Sequence, residues 1–382
     1  LQSPDCISIF MTIRAENVSK SYGKKQVLRD LSFEAESGTF LTLLGSTGSG
    51  KTTLLRILAG IEKPDRGRIY FDGIDVTDIP VQRRNIAFVY QQFVNYPSMT
   101  VFENIASPLR VAKEKHTEAA IKANVLEAAE LLRLTGVLHY LPEEVSGGQR
   151  QRCAIARALV KGSRYMFLDE PLANLDYKLR EELRMELKQI FRDRGGVVVY
   201  ATPEPIDALM MASHVGFLHE GNLLQYGEVL DVYKHPCHAA VGSYFCQPQM
   251  NLFPCMVRGQ GDRSRIQVSP ELQFEIALGK EVLPANSYLL GFRPHHLHLA
   301  DPEKRMVPFQ ARVELSEVVD SNTELHLQHG ELRLTLLMQE ITPFAVGQEI
   351  TAFIDPEHLY IFDVESGTFV ARTTRDKHQQ VR

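Results

Sequence analysis

Gly45-Ser-Thr-Gly-Ser-Gly-Lys51-Thr52 is a stretch whose residue types and spacing could do chemistry. It fits GxxxxGK[ST] and lies between a short apolar run, Phe40-Leu-Thr-Leu-Leu44, and a segment of helical composition from Thr52 to Ala59. Glycines at 45, 48 and 50 let backbone N–H groups turn inward as a nest for phosphate oxygens, and a helix N-terminus adds partial positive charge. Lys51 would reach the β/γ-phosphates and the Thr52 hydroxyl would hold Mg²⁺, with Ser46, Ser49 and Thr53 completing the phosphate-binding candidates. A plain Gly-rich strand-to-helix turn is the alternative, and the flanking strand and helix weigh against it.

A second apolar run, Tyr165-Met-Phe-Leu168, delivers Asp169 and Glu170 at its carboxyl end, where ligands bind in open α/β sheets. Asp169 can support Mg²⁺, and Glu170 can polarise an attacking water as general base. Ser146-Gly147-Gly148-Gln149 precedes a helical segment, Arg150 to Leu159, and reads physically as a capped helix start with exposed amides.

The elements that must position these groups follow from patterning. From Thr12 to about Tyr200, apolar strands alternate with helical stretches, which predicts an α/β layer structure with a largely parallel sheet. Arg84–Tyr90, Arg164–Leu168 and Gly196–Tyr200 are further strand candidates. A mostly helical insert lies between the first two, with Ile121, Val125, Ala128 and Leu132 forming one apolar face from about His116 to Leu134. Past about Pro236, Glu324–Gln328 and Leu332–Leu336 alternate apolar and polar residues around a His329-Gly330 turn, which predicts an antiparallel hairpin in an all-β C-terminal third.

The 382 residues allow two domains, or three small ones. Hydrophobic residues at 44% and charged residues at 23% exclude disorder and a coiled-coil rod. With 42 basic and 47 acidic residues the net charge is −5, which argues against a nucleic-acid partner. Cys6, Cys153, Cys237, Cys246 and Cys255 form no CxxC pair, so reduced thiols are expected rather than a disulfide framework or zinc site. No run approaches the roughly 18 apolar residues of a membrane span. LQSPDCISIF lacks the regions of a signal peptide and reads as translated upstream sequence before Met11, and the polar tail from Thr373 is expected to fray.

A phosphate loop, then VSGGQRQR, then MFLDEPLANLD resembles the ATPase subunits of ABC transporters, with Ser146 95 positions after Lys51 and Asp169 23 after Ser146. The resemblance extends over nearly the whole chain. It implies a P-loop NTPase domain with a helical insert over residues 12–238, and a small β-rich, oligonucleotide/oligosaccharide-binding-like regulatory and dimerisation domain over 239–382. It places Tyr22 where an aromatic stacks on adenine, although alone this residue reads equally as a strand-end packing group. Gln91 falls at the glutamine that senses Mg²⁺ and γ-phosphate and links to membrane subunits, although alone it reads as a solvated loop residue. Leu175 and Asp176 match the loop that communicates across the ATPase dimer. Two such domains meet head to tail in that family, so ATP lies between the Lys51 loop of one and the Ser146 motif of the other.

Within the family the likeness is to carbohydrate and polyol importers of the maltose and glycerol-3-phosphate type, with Pro248-Gln-Met-Asn251 and Gly291-Phe-Arg-Pro294 resembling landmarks of the β domain. It implies ATP and Mg²⁺, a second ATPase subunit, two transmembrane permease subunits and, indirectly, a periplasmic solute-binding protein. The location implied is peripheral, on the cytoplasmic face of a bacterial inner membrane. His295, His296 and His298 read as alternating strand residues facing solvent or packing, with no carboxylate or thiolate partner in view to make a metal site.

One departure stands out. After Val197–Tyr200 the family pattern is Thr-His-Asp, and this chain has Ala201-Thr202-Pro203-Glu204-Pro205. Proline offers neither a side-chain donor nor a backbone N–H. Either Thr202 or a water supplies the γ-phosphate contact, or this half-site is catalytically weak and works in an asymmetric heterodimer. The YAT-x-EP form, with VYQQFVNYP, ENIASPLRVA and LDEPLANLDYKLREEL, resembles one of the two paired ATPase subunits of bacterial glycerol importers.

Overall fold

Five consecutive buried residues, Phe40–Leu44, four of them large and apolar, form an interior strand, because both faces of the pleat are covered. The computed structural model of the chain describes residues 12–112, 115–173, 175–194, 196–260, 263–278, 283–284 and 286–373. The first ten residues, Cys6 among them, Asn174 and the tail beyond Thr373 lie outside the described residues. Two compact units divide the chain, one ending at Val232 and one starting at Tyr233.

The first unit runs β1 (Ile13–Tyr22), β2 (Lys25–Ala35), β3 (Phe40–Leu44), α1 (Lys51–Ala59), β4 (Arg66–Phe71), β5 (Ile74–Asp75), β6 (Ile86–Val89), α2 (Val101–Arg110), α3 (Glu118–Leu131), α4 (Gly147–Val160), β7 (Tyr165–Asp169), α5 (Tyr177–Arg194), β8 (Val197–Thr202), α6 (Pro205–Met211), β9 (His214–His219) and β10 (Asn222–Glu228). Its central sheet has the order β10-β9-β3-β8-β7-β6. All pairings in it are parallel except β9 with β10. Period-two alternation splits the strand side chains between two cores. Leu41, Leu43, Tyr165, Phe167, Val197 and Val199 pack with α1, β1, β2 and β4. Phe40, Met166, Leu168, Val198 and Tyr200 pack with α2 to α5. Burying each large apolar side chain contributes about 1.5–3 kcal/mol. The strand cores therefore outweigh any exposed polar contact in the loops they carry.

The largely parallel sheet expected from Thr12 to about Tyr200 is present, and beside it stands an antiparallel sheet of order β2-β1-β4-β5 that the alternation did not reveal. Register shifts at Ala15/Val18, Val18/Lys20 and Lys20/Ser21 break its period-two pattern. In the insert, Ile121, Val125 and Ala128 are buried on α3 as their spacing predicts. Thr100 and Glu103 close a capping box at the start of α2.

The second unit is all antiparallel among its described strands, in sheets of six and five strands. The predicted hairpin is present as Asn322–His329 and Leu332–Met338, with Leu325 opposite Leu336 and Leu327 opposite Leu334. Its turn is Gly330-Glu331 rather than His329-Gly330, because His329 pairs with Leu332 and Gly330 takes the positive φ of 57°. Pro294–His296 form a short 3₁₀ turn before the two-residue strand Leu297–His298, so the three histidines do not alternate on one strand. A carboxylate is near them after all. Asp355 Oδ2 lies 2.6 Å from His358 Nδ1, and the His358 ring stacks on His296 with centroids 4.3 Å apart. Among the described residues no group of three or more His, Cys, Asp or Glu is arranged to hold a metal ion. The four described cysteines are free thiols. Burial pushes Cys153 and Cys255 up to about 12, so neither is a thiolate at neutral pH.

Candidate nucleotide site

The loop between β3 and α1 carries the phosphate chemistry. Gly45 has a φ of 154° and a Cβ there would come within 2.2 Å of the Leu218 carbonyl oxygen. Gly50 caps α1 with a φ of 107°, and a Cβ there would meet Leu28 Cδ2 at 2.5 Å. Both positions require glycine, and the result is a tight loop whose amides border the start of a nine-residue helix.

Lys51 is buried and its ammonium donates to the carbonyls of Gly45 at 2.8 Å and Ser46 at 3.0 Å. It also stands 3.9 Å from Glu170 Oε1. Desolvation pulls the lysine down, while Glu170 and Asp169 push back. Thr52 Oγ1 donates to Asp169 Oδ1 at 2.8 Å. Asp169 is 1% exposed. Burial raises its proton affinity, and the Thr52 hydrogen bond and the charges of Arg56 and Lys51 lower it. Gln91 Nε2 donates to Glu170 Oε2 at 2.9 Å. Burial is also the main cause of the raised Glu170, opposed first by Lys51. The backbone of Glu170 has a φ of 46°, a left-handed conformation fixed by its N–H to the Ala201 carbonyl on β8.

Gly45, Ser46, Gly48, Ser49, Gly50, Lys51, Thr52, Gln91, Asp169 and Glu170 thus form one constellation at the C-terminal edge of the parallel sheet. Its donor set fits Mg²⁺ and a triphosphate. A hydroxyl, a carboxylate and an amide are hard oxygen ligands, and the Ser49 hydroxyl is buried with no partner among the described residues. Thr52, Asp169 and Gln91 would hold the metal, which when bound neutralises phosphate charge and orients it. The chain's own groups are placed for the rest: Lys51 and the loop amides for binding phosphate oxygens, and Glu170 for accepting a proton from water. Tyr22 presents a 46% exposed ring, with its hydroxyl donating to Glu62 and also hydrogen-bonded to Thr53 beside the phosphate loop.

Ser146 does not join this cluster. It caps α4, accepting from Gln149 N at 3.2 Å while Gln149 Oε1 accepts from Ser146 N at 2.8 Å. No hydrogen bond or ion pair among the described residues links Ser146, Gly147, Gly148 or Gln149 to the phosphate loop. The helix begins at Gly147, three residues before the Arg150 start read from the sequence. Gly148 is packed tightly: a Cβ there would lie 2.9 Å from Leu179 Cδ2 and 3.2 Å from Leu175 Cδ2.

Sequence reasoning missed the polar network beneath Pro203. Asp207 is 2% exposed and Arg184 is 3% exposed. Arg184 Nε donates to Asp207 Oδ1 at 2.6 Å, and Thr202 Oγ1 and Tyr200 OH donate to Asp207 Oδ2 at 2.8 and 3.0 Å. The hydroxyl of Thr202, offered above as a stand-in for the histidine, is therefore committed to Asp207. Arg180 and Arg184, four apart on one helix, and two carboxylates three apart at the start of α6, Glu204 and Asp207, were the available signal.

Comparison with known proteins gives the family. Residues 28–173 match the ABC transporter family model. The trehalose/maltose import ATP-binding protein of Thermococcus litoralis is 36% identical, covering 93% of this chain and 98% of that protein. The sn-glycerol-3-phosphate import ATP-binding protein of Salmonella paratyphi A is 33% identical with the same coverage. The spermidine/putrescine import ATP-binding protein of Protochlamydia amoebophila is 36% identical over 85% of this chain and 87% of its own. A dimeric ATP-binding cassette solved in a post-hydrolysis state with ADP and Pi superposes on 57% of this chain and 98% of its own, at 29% identity and a TM-score of 0.53. Phosphate loop, capped helix α4 and acidic strand end, in this order, with this identity across this length, mean that the chain belongs to the ABC transporter family of import ATP-binding proteins.

Proposed function

We propose that this chain binds Mg-ATP between its Lys51 loop and the Ser146 motif of a second ATPase subunit, and that it drives uptake of a polyol or sugar, with glycerol the first candidate. The observation that carries the reading is the joining of Thr52 to Asp169 and of Lys51 and Gln91 to Glu170 across the sheet edge. Relatives that import trehalose or maltose and sn-glycerol-3-phosphate support the solute class. Among the described residues no helix is long and apolar enough to cross a membrane. As the likeness to import ATP-binding proteins supports, the energy passes to two transmembrane permease subunits, fed by a periplasmic solute-binding protein, from a peripheral position on the cytoplasmic face of the membrane.

Pro203 makes the half-site at Lys51 slow. Loss of a positioned proton-handling group costs about 10²–10⁴-fold in rate. Ser146 and its capped helix remain to complete the site on a partner's ATP, which favours a heterodimer with a histidine-bearing paralogue. The same proline supports a second reading, in which this chain only binds ATP to close the dimer. Turnover of the purified chain, alone and with the paralogue, separates the two. Turnover that Glu170→Gln lowers at the Lys51 half-site favours the first, and turnover at the paralogue's site alone favours the second. Uptake of labelled glycerol that survives Lys51→Ala would overturn both.

A further inference from the structure

Two arginines one turn apart on α5 reach two carboxylates that follow β8, Glu204 at the N-cap of α6 and Asp207 in its first turn. Arg184 takes Asp207 in a buried pair. Arg180 stands 3.8 Å from Glu204, with side chains 22% and 44% exposed. Arg180 Nη2 also donates to the Ala173 carbonyl at 3.3 Å, and Ala173 N donates to the Glu170 carbonyl at 3.2 Å. On the other side, Glu204 N donates to Thr202 Oγ1 at 3.1 Å. Glu204 itself sits between Pro203 and Pro205 with φ −89° and ψ 113°, the extended backbone imposed on a residue before proline. Its backbone has little freedom, so the side chain of Arg180 meets a fixed target.

We propose that Arg180 is a positioning residue for Glu170. Its planar fork spans from the turn that Glu170 opens to the loop of Pro203, and it holds the two loops bordering the phosphate site in register. This rests on the reading of Glu170 as the group that orients the attacking water. The role is separable from stability, because a half-exposed ion pair contributes little to it, whereas a displacement of about 1 Å at a reacting group costs up to about 10²-fold in rate. Arg184, by contrast, is structural.

The test uses the full chain in its assembled transporter, with the phosphate-loop lysine of the other ATPase subunit replaced so that turnover reports the Lys51 half-site. Arg180→Gln is expected to lower kcat by about 10–100-fold while KM for ATP and Tm stay near the parent values. Arg180→Lys recovers part of the loss, since an ammonium still reaches Glu204 but cannot also hold Ala173 with a second planar N–H. Arg180→Gln combined with Glu204→Gln is no worse than Arg180→Gln alone. A parent-like kcat in Arg180→Gln, with Glu170→Gln inactive, overturns this inference alone. Parent-like turnover in Glu170→Gln removes the reading of Glu170 and this inference with it. A fall in Tm for Arg180→Gln as large as that for Arg184→Gln makes Arg180 structural and also overturns it.

Discussion

The hydroxyl of Thr52 and the carboxylate of Asp169, 117 positions apart, are 2.8 Å from one another. One opens α1 and the other ends β7, so the fold itself brings two hard oxygen ligands together. Asp169→Asn keeps the size and the hydrogen bond but removes the charge. Mg²⁺-dependent ATP turnover should fall by at least about 100-fold, the scale of losing one electrostatic contact at a reacting charge. Nucleotide binding measured in EDTA should change little.

Restoring the missing ring should act in the opposite direction. Pro203→His is expected to raise turnover at the Lys51 half-site by about 10-fold or more, towards the 10²–10⁴ range of a positioned proton-handling group. Single-turnover kinetics with the partner's site silenced read this out, and an unchanged rate would mean that Pro203 is not what limits the half-site.

Removing Arg184 leaves Asp207 charged and buried with only two hydroxyl donors. Arg184→Met should therefore destabilise the chain by about 3–5 kcal/mol, and Arg184→Met with Asp207→Leu should recover most of it. Denaturant midpoints for the single and double variants decide.

Acid should loosen the second unit. Burial pushes His296 down to about 3 from 6.5, with His295, His358 and Arg293 adding to the effect and Asp355 opposing it. Between those values the unfolded chain binds a proton that the folded one refuses. Stability is therefore complete above pH 6.5 and declines as pH falls towards 3. Asp355, held low by its hydrogen bonds to His358 and Glu357 despite its burial, acts in the same direction. A series of melting curves from pH 7 to about pH 4 should show a falling Tm, with a shallower fall in His296→Phe.

How much of this was legible depended on range in the chain. The phosphate loop could be read because Gly45 to Thr52 are contiguous and each residue type has a backbone or charge reason to be there. β7 could be read because four buried apolar residues, Tyr165–Leu168, run into two acids, Asp169 and Glu170. The sheet of β1 and β2 could not, since the alternation of buried Ile13 and Ala15 with Arg14 and Glu16 lasts only four residues before register shifts break it. The Arg184–Asp207 pair was hidden for another reason: nothing local in either segment says that α5 packs against α6. The likeness of Pro203 to a missing histidine was visible in the sequence, whereas the engagement of Thr202 with Asp207 needed coordinates.

The reciprocal cap at Ser146 and Gln149 has a consequence for how an assembled dimer would close. The first turn of α4 is already wound by its own side chains, so an arriving triphosphate would not have to organise it. The entropy of ordering that surface is spent during folding, and little of it is left to oppose docking. The resistance to closure must then lie elsewhere, in displacing hydration from the two facing surfaces and in seating the γ-phosphate beside a proline.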